Sequence, residues 1–384
     1  MAFTFIAPEK IISGSQAVEM SADTVAELGK KALVVTDTTM EKLGNLKIVT
    51  DMLEQAGIAY AIYKEISGEP DDTMIQTGAE FYKQEACDFL VALGGGSPID
   101  AMKAIAMIAA CGGKPADYMG KVITEKLAPM VAIPTTAGTG SEATQFSIIT
   151  DVTSQVKMLL KGPALMPDVA IIDPQFTMTA PPKITAATGI DALCHALEAY
   201  TSKKAQPLSD TFALSACQRI FGHLRTAWGQ GDQEESRIQM SLAALEAGMA
   251  FNNSSVTIVH GMSRPIGALF HVPHGISNAM LLNVCLEYIA DGAVERFADL
   301  AVACGFAKAS EPASDAAEKL LEAVRALLHD IEIPTLAGYG IDREAFMKLV
   351  PKMASDAFAS GSPSNTRKKI TVEVMENLYG KLWE

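Results

Sequence analysis

Residues 90–105 read LVALGGGSPIDAMKAI, and this stretch decides the fold of the first half of the chain. An apolar run typical of a buried strand ends in GGGS at 94–97, and Pro98 follows at a position favoured at the start of a helix. Such a connection leaves free backbone N–H groups at the helix N-terminus, which suit a phosphate group. The turn is neither GxGxxG nor a P-loop, and an ordinary tight connection is an equally good interpretation.

The segments on both sides of this stretch alternate between two periodicities. Strand-like runs occupy residues 30–37, 58–66, 88–94 and 127–134, and helical spacing occupies residues 38–57, 71–87 and 98–113. The run at 127–134 also ends in a glycine-rich turn, so a further helix is expected after it. Strands alternating with helices indicate a mostly parallel sheet covered on both faces, a Rossmann-like α/β arrangement.

The pattern changes near residue 180. The last β-branched run is PDVAIIDP at 167–174, and prolines stand at 174, 181 and 182, where the composition shifts. From there to residue 384 the chain is rich in Ala, Leu, Met and Glu with helical spacing. We therefore predict two domains, an α/β domain at 1–180 and an all-helical domain at 181–384.

Composition excludes several classes of protein. The chain of 384 residues has 31 basic and 45 acidic side chains and a formal net charge of -14, whereas nucleic acids and anionic membranes require a basic surface. Residues 1–14 lack the features of a signal peptide, and no apolar run is long enough to span a bilayer. Six cysteines without a CxxC pair suggest reduced thiols. These features predict a cytoplasmic protein that binds neither nucleic acid nor membrane.

Two further features place polar groups at the carboxyl ends of predicted strands. Residues 132–144, AIPTTAGTGSEAT, carry five hydroxyl side chains around two glycines, and such a loop can bind a nucleotide or cap the next helix. Asp37 ends the strand KALVVTD, where a carboxylate can accept hydrogen bonds from the ribose of NAD and would repel the 2′-phosphate of NADP. A helix N-cap is at least as common a role for such an aspartate.

Histidines are scarce but clustered. Only six occur in the chain, and His260, His271 and His274 lie within fifteen residues. Asp191 and His195 are four residues apart in a helical segment, so they share one face of that helix. Imidazoles combined with one carboxylate and no thiolate suit Fe(II), Zn(II) or another first-row divalent ion, and they argue against a structural zinc site. The sequence therefore predicts a metal site built from these two regions.

Four blocks of the sequence together resemble the iron-dependent (group III) alcohol dehydrogenases, the family of lactaldehyde reductase and 1,3-propanediol dehydrogenase. The blocks are GGGSPID at 94–100, PTTAGTGSEAT at 134–144, ATGIDALCHALEAYTS at 187–202 and HGMSRPIGALFHVPHG at 260–275. The similarity extends over nearly the whole chain. It implies a dehydroquinate synthase-like fold with an α/β dinucleotide-binding domain, a helical metal-binding domain and an active site in the cleft between them. It also implies a homodimer.

The resemblance assigns residues by position. It implies four metal ligands, Asp191, His195, His260 and His274. It implies contacts to a nicotinamide dinucleotide from Asp37, Gly95, Gly96, Ser97, Thr135, Thr136, Thr144, Phe146 and Lys157. The implied reaction is hydride transfer between NAD(H) and a small alcohol or aldehyde, with the metal acting as a Lewis acid on the substrate oxygen.

The fourth block departs from the family pattern at two positions. Family members often carry a histidine at the position of Arg264 and a residue other than histidine at the position of His271. The proton relay between substrate and solvent then falls either to His271 or to water, and we predict that His271 performs it. Arg264 is a permanent cation with a forked guanidinium, which suits a carboxylate, sulfonate or phosphate of the substrate, a salt bridge, or the cofactor phosphates.

Three other functions are compatible with parts of the pattern. A dehydroquinate-synthase-like lyase would need several basic residues around a carbocyclic phosphate, and the helical half is not rich in them. A metal-dependent hydrolase would activate water and need no dinucleotide. A non-catalytic binding protein would not require the complete ligand set. The alcohol dehydrogenase interpretation accounts for all four blocks.

Overall fold

The computed structural model describes residues 2–154 and 156–384, which fall into two compact units. The first is the α/β unit Ile6–Ala180, and the second combines residues 2–5 with Pro181–Glu384 and is helical. The predicted fold class, a parallel-sheet domain followed by a helical domain, is confirmed. Residues 2–5 differ from the expectation, because Phe5 stacks on Phe212 of the helical unit with 5.6 Å between ring centroids.

The strands all lie in the α/β unit. They are β1 Lys10–Ser13, β2 Lys31–Val35, β3 Ala59–Tyr63, β4 Phe89–Gly94, β5 Met130–Pro134, β6 Phe146–Asp151, β7 Val156–Lys161 and β8 Val169–Ile172. Six of them form one parallel sheet in the order β1-β8-β5-β4-β2-β3. In β2, Ala32 and Val34 pack in one core cluster, whereas Leu33 and Val35 pack in another. Because successive residues of a strand point to opposite faces, both faces of the sheet are covered.

The helices of this unit are α1 Ala17–Met20, α2 Ala22–Ala26, α3 Thr38–Lys42, α4 Asn45–Gln55, α5 Asp72–Gln84 and α6 Gly96–Cys111. The helix predicted over 38–57 is present but broken, because Gly44 adopts a φ of 80° between α3 and α4. Asp71 begins α5 as its N-cap and accepts a hydrogen bond from Met74 N. α6 follows the GGGS turn directly and is buried over most of its length, as the sequence predicts.

The segment after β5 differs from the prediction. Instead of a helix, residues 135–144 form an irregular loop that contains a single 3₁₀ turn, Ser141–Ala143. β6 and β7 then pair antiparallel in a separate two-stranded sheet. The helix was expected only by analogy with the segment after β4. The short runs FSIITD and VKMLLK, separated by a turn, are typical of a hairpin.

Nine α-helices make up the described part of the helical unit. They are α7 Pro182–Thr201, α8 Pro207–Gly229, α9 Glu234–Ser254, α10 Ile258–Phe270, α11 His274–Ile289, α12 Val294–Ala303, α13 Ala313–Asp330, α14 Arg343–Ala359 and α15 Val372–Lys381. α7 is buried along nearly all of its length after Thr185 and packs against α8, α9 and α11. Polar side chains on α7 are therefore removed from solvent and need partners within the unit.

The six cysteines are free thiols. Cys194, next to a predicted metal ligand, is fully buried on α7, and burial raises the pKa of its thiol. It is a core residue, because a nucleophilic cysteine requires the thiolate. Within residues 2–154 and 156–384, no helix is both long enough and apolar enough to cross a membrane.

Candidate metal centre and dinucleotide site

The predicted metal ligands come from three helices of the helical unit. α7 carries Asp191 and His195 one turn apart, α10 carries His260 in its first turn, and His274 is the first residue of α11. The ligand atoms of Asp191, His195 and His260 lie within 4.8 Å of one another, and all three residues are buried. His274 Nε2 lies 3.6 Å from Asp191 Oδ1, on a side chain that is 42% exposed. The structure thus brings all four residues together. Of the four, His274 is the one whose side chain is exposed to solvent.

Asn278, which sequence reasoning missed, shows where the acceptor atoms converge. It lies one turn after His274 on α11 and is fully buried. Its Nδ2 group donates to Asp191 Oδ1 at 2.7 Å and lies 3.2 Å from Nε2 of both His260 and His274. One donor group therefore faces the lone pairs of three predicted ligands, and a cation would be attracted to the same lone pairs. The only sequence signal for Asn278 is its spacing of four from His274.

Glu198 orients His260 and was also missed. It lies on α7 and is fully buried. Its carboxylate accepts hydrogen bonds from Thr257 Oγ1 and Val259 N, both at 2.7 Å, and from Nδ1 of His260. Because Glu198 holds the proton on Nδ1, Nε2 of His260 is the ring nitrogen that remains for a cation, and it lies 3.7 Å from Asp191 Oδ1. Its spacing of seven from Asp191 on one helix is the signal that could have found it.

The two buried carboxylates, Asp191 and Glu198, favour positive charge at this site, held either as a proton on an imidazole or as a metal ion. Burial lowers the pKa of His195 to about 3, and its Nδ1 has no hydrogen-bond partner among the described residues. Burial disfavours ionisation of Asp191, but the surrounding imidazoles hold its pKa well below the usual range. Burial also disfavours the charged form of His260, but Glu198 and Asp191 outweigh it and raise the pKa to about 9. Three imidazole nitrogens and one carboxylate oxygen form a donor set that fits a first-row divalent ion.

A pocket in the α/β unit lies over the glycine turn. Its volume is about 500 Å³, and it is lined by residues 37–39, 64–68 and 95–98. Gly95 is the N-cap of α6, so the free N–H groups of this helix begin at the pocket wall. Four of the residues predicted to contact a dinucleotide therefore surround one cavity: Asp37, Gly95, Gly96 and Ser97.

Asp37 caps a helix and keeps one oxygen unused. Oδ1 accepts hydrogen bonds from Thr39 N at 2.6 Å and from Met40 N at 3.1 Å, at the start of α3. Oδ2 makes no hydrogen bond within the described part of the chain. The two interpretations of Asp37 are therefore compatible, since one oxygen can cap the helix while the other faces a ribose.

The hydroxyl-rich loop 135–144 packs against the glycine turn. A Cβ added to Gly95 would lie 3.4 Å from Thr136 Oγ1, and one added to Gly96 would lie 3.0 Å from Thr139 Cγ2. The two turns follow β4 and β5, which are parallel neighbours, so they meet at the same edge of the sheet. A side chain at position 96 would therefore press on Thr139, whereas a Cβ at position 95 would make ordinary contact with Thr136, so close packing accounts for the glycine at 96.

Three of the predicted cofactor contacts have protein partners. Thr144 Oγ1 and the carbonyl oxygen of Phe146 both accept hydrogen bonds from the ammonium of Lys103, at 3.1 Å and 2.8 Å. Lys157 Nζ forms an ion pair with Glu69 Oε1 at 2.6 Å. These partners do not test the cofactor contacts, which stay predictions. Thr135 is 5% exposed and lies at the end of β5.

Arg264 and His271 differ sharply in their surroundings. Arg264, one turn after His260 on α10, is partly buried and donates to Ser362 Oγ at 3.2 Å. No carboxylate lies within 4.0 Å of it in the described residues, so the salt-bridge interpretation finds no support there. Burial lowers the pKa of its guanidinium, and Glu198 partly offsets this effect. His271 ends α10 with a φ of 54°, and its side chain is exposed.

Known proteins resemble this chain along its whole length. Residues 8–174 match the model of the iron-containing alcohol dehydrogenases, and residues 185–383 match the C-terminal model of the Fe-containing alcohol dehydrogenase family. Lactaldehyde reductase of Escherichia coli (strain K12) is 36% identical in an alignment of 391 residues that covers 100% of both chains.

Two solved structures extend the comparison. A 1,3-propanediol oxidoreductase has a TM-score of 0.96 and 36% identity, with 100% of each chain covered. Sulfoacetaldehyde reductase from Bifidobacterium kashiwanohense, in complex with NAD+, has a TM-score of 0.89 and 29% identity, and the alignment covers 100% of this chain and 99% of that one.

These relatives confirm the resemblance drawn from the four sequence blocks, and they give no support to a lyase or a hydrolase. The fold is the dehydroquinate synthase-like fold of the iron-containing alcohol dehydrogenases. The chain therefore belongs to the iron-containing alcohol dehydrogenase family, and it is an oxidoreductase that acts on an alcohol or an aldehyde.

Proposed function

We propose that this protein is an NAD(H)-dependent dehydrogenase that interconverts a small primary alcohol and its aldehyde at a divalent metal ion. The observation that carries the proposal is the convergence of Asp191, His260 and His274 on one buried donor group, with His195 beside them. Buried lone pairs that converge in this way are stabilised by a cation. Fe(II) is the metal we propose, and Zn(II) suits the same donors.

When bound, the metal supplies Lewis-acid polarisation of the substrate oxygen, and the nicotinamide supplies or accepts the hydride. The residues of the chain hold and orient these groups. Glu198 keeps the proton of His260 on Nδ1 and so fixes the direction of Nε2. Phe251 stacks on the ring of His195 with 4.2 Å between centroids and limits its rotation.

The α/β unit holds the dinucleotide in this proposal. The N-terminal N–H groups of α6, at Gly95, Gly96 and Ser97, bind its pyrophosphate. The unused Oδ2 of Asp37 accepts a hydrogen bond from the adenosine ribose, and its charge favours NAD over NADP. Thr135, Thr136, Thr144, Phe146 and Lys157 complete the proposed contacts.

His271 and Arg264 have roles on the substrate side. The exposed imidazole of His271 relays the proton between the substrate oxygen and solvent. The guanidinium of Arg264, which has one hydroxyl partner and no carboxylate among the described residues, binds an anionic group of the substrate. The working enzyme is a cytoplasmic homodimer in this proposal, which the family resemblance and the six free thiols support.

Removing one imidazole should remove the metal. In His260→Ala we expect metal retained after dialysis to fall at least about tenfold and aldehyde reduction to fall with it, because one of four ligands is lost. His329→Ala is the matched control, since the side chain of His329 is 90% exposed and far from α10 in sequence. Elemental analysis and an NADH-oxidation assay measure both effects. Full metal content and activity in His260→Ala would disprove the proposed site.

Replacing the charge at residue 37 should relax the choice of cofactor. Asn is as good an N-cap as Asp, so Asp37→Asn keeps α3 intact while it removes the negative charge. We expect kcat/KM with NADPH, relative to NADH, to rise about tenfold, because relief of a charge repulsion of about 1.4 kcal/mol corresponds to a factor of ten. Asp51→Asn, which alters an exposed ion pair with Lys47, is the control. An unchanged ratio would show that Asp37 does not face the ribose.

The proton relay can be separated from metal binding. His271→Ala should lower kcat for aldehyde reduction by about tenfold or more, the lower range for loss of a positioned acid or base. Metal content should stay at the wild-type level, because the ring of His271 makes no hydrogen bond to the predicted ligands in the described residues. Parallel elemental analysis and turnover assays decide the matter. Wild-type turnover in His271→Ala would exclude the relay.

The substrate anion is tested with a panel of aldehydes. In Arg264→Met, which keeps an unbranched apolar stem but removes the guanidinium and its charge, we expect kcat/KM for carboxylate- or sulfonate-bearing aldehydes to fall about tenfold or more, the loss expected for one charge-assisted hydrogen bond. Neutral aldehydes of similar length should react at nearly unchanged rates. Arg225→Met, which removes an exposed partner of Asp330, serves as control. An equal loss on neutral and anionic aldehydes would contradict an anion-binding role.

A further inference from the structure

A buried ammonium lies beneath the two turns of the α/β unit. Lys103 is on the second turn of α6, in the middle of an apolar helix, and has no exposed surface. Its Nζ atom donates to the carbonyl oxygens of Ser141, Thr144 and Phe146 at 2.6, 2.8 and 2.8 Å. The hydroxyls of Ser141 and Thr144 lie at 3.2 and 3.1 Å. A single side chain therefore binds four oxygen atoms at the end of the loop 135–144 and one at the start of β6.

Two acidic residues accompany this ammonium. Asp100, one turn before Lys103, accepts hydrogen bonds from Ser141 Oγ and, at 3.0 Å, from Ile148 N of β6. Glu142 is 2% exposed in the 3₁₀ turn, and burial raises the pKa of its carboxyl to about 7, against the opposing effect of Lys103. Burial lowers the pKa of Lys103 to about 8, and Asp100 and Glu142 partly offset the shift. The network contains a cation and two carboxyl groups, so the buried ammonium has compensating partners.

Helix α6 contacts both turns of the proposed dinucleotide site. The N-terminus of α6 begins at the GGGS turn, whose Gly95 lies against Thr136. Thr135 N donates to the carbonyl oxygen of Gly94 at 3.0 Å, which fixes the start of the loop. Lys103, seven residues after Gly96, fixes its end. The irregular loop 135–144 lacks the ladder bonds of a strand or helix, so its last carbonyl groups depend on these side-chain donors.

We propose that Lys103 is a positioning residue for the dinucleotide: its ammonium holds the loop 135–144 in register with the GGGS turn, so that both bind the cofactor without further ordering. Hydrogen bonds from a buried charge are stronger than neutral ones, so this contact suits a loop that must keep its shape while a ligand enters and leaves. Rigid preorganisation of this kind lowers the entropic cost of binding. The inference rests on the proposed binding of NAD(H) at these turns.

Lys103→Met tests the inference, because it keeps the packing volume and removes every donor. We expect the KM and the dissociation constant for NADH to rise about tenfold or more, which is the loss of about one charge-assisted hydrogen bond. The kcat at saturating NADH should stay within about twofold, since the proposed loss is uniform binding. A residue that only stabilises the fold would instead lower the active fraction, and therefore kcat, at an unchanged KM. NADH fluorescence titration measures the binding constant without turnover.

Hydrogen exchange provides a readout that needs neither metal nor cofactor. In the absence of NADH, amides in residues 135–148 should exchange faster in Lys103→Met than in the wild type, whereas those of β4 should not. If wild-type protein fails to bind NADH, the proposed function is wrong, while the exchange result still decides whether Lys103 fixes the loop. Wild-type exchange in this segment, or a wild-type KM for NADH, would overturn the inference.

Two variants complete the design. Lys103→Gln keeps an N–H donor at nearly the same length and should fold even if Lys103→Met does not. It is expected to raise the KM for NADH by less than Lys103→Met, and a wild-type KM in the folded Gln variant would also overturn the inference. Lys126→Met is the matched control, because Lys126 is exposed in the same unit and makes no ion pair within the described residues. It should behave as the wild type in every assay.

Discussion

The convergence of acceptor atoms from three helices is the constraint on which the helical unit depends. Asp191, His260 and His274 direct lone pairs to the same point, where Asn278 offers a single amide donor. Buried lone pairs that face one another repel, and a polar group without a partner costs free energy in a medium of low polarity. A divalent ion relieves this repulsion for all acceptors at once. The packing of α7, α10 and α11 therefore fits the metal site that we propose.

In the α/β unit, a cation of the chain itself binds the acceptor atoms that converge. There the carbonyl oxygens of Ser141, Thr144 and Phe146 converge, and the chain supplies a buried cation, Lys103, from the adjacent helix. In both units, oxygen or nitrogen acceptors converge on one point, and helices hold the residues involved. In the α/β unit the ammonium of Lys103 occupies that point, and in the helical unit we propose that a metal ion does. Such preorganised groups lose little entropy when a ligand binds, which is why they suit binding sites better than surface side chains do.

Sequence reasoning predicted the fold class because two periodicities and the GGGS turn are local signals. It also identified Asp191, His195, His260 and His274 as a group, since their residue types are rare and their spacing places them on helix faces. It missed Glu198, Asn278 and Lys103, whose roles depend on contacts between distant elements. Sequence reasoning expected a helix after β5 by analogy with β4. The structure instead has a loop followed by β6, which is stabilised by antiparallel pairing with β7. Residue type and local spacing do not contain such long-range partners.

In the proposed function, selectivity depends on polar side chains that keep unused hydrogen-bonding capacity. Glu198 and Lys103, by contrast, already make several hydrogen bonds each within the chain. Asp37 has one free oxygen, and Arg264 has a single hydroxyl partner within the described residues. A saturated group can change only if its neighbours change with it, whereas these two can be exchanged at little structural cost. If Asp37 and Arg264 have the roles that we propose, the preferred cofactor and the charge of the substrate can change by substitution at these two positions. The four predicted metal ligands and the contacts of Lys103 with the loop 135–144 need not change.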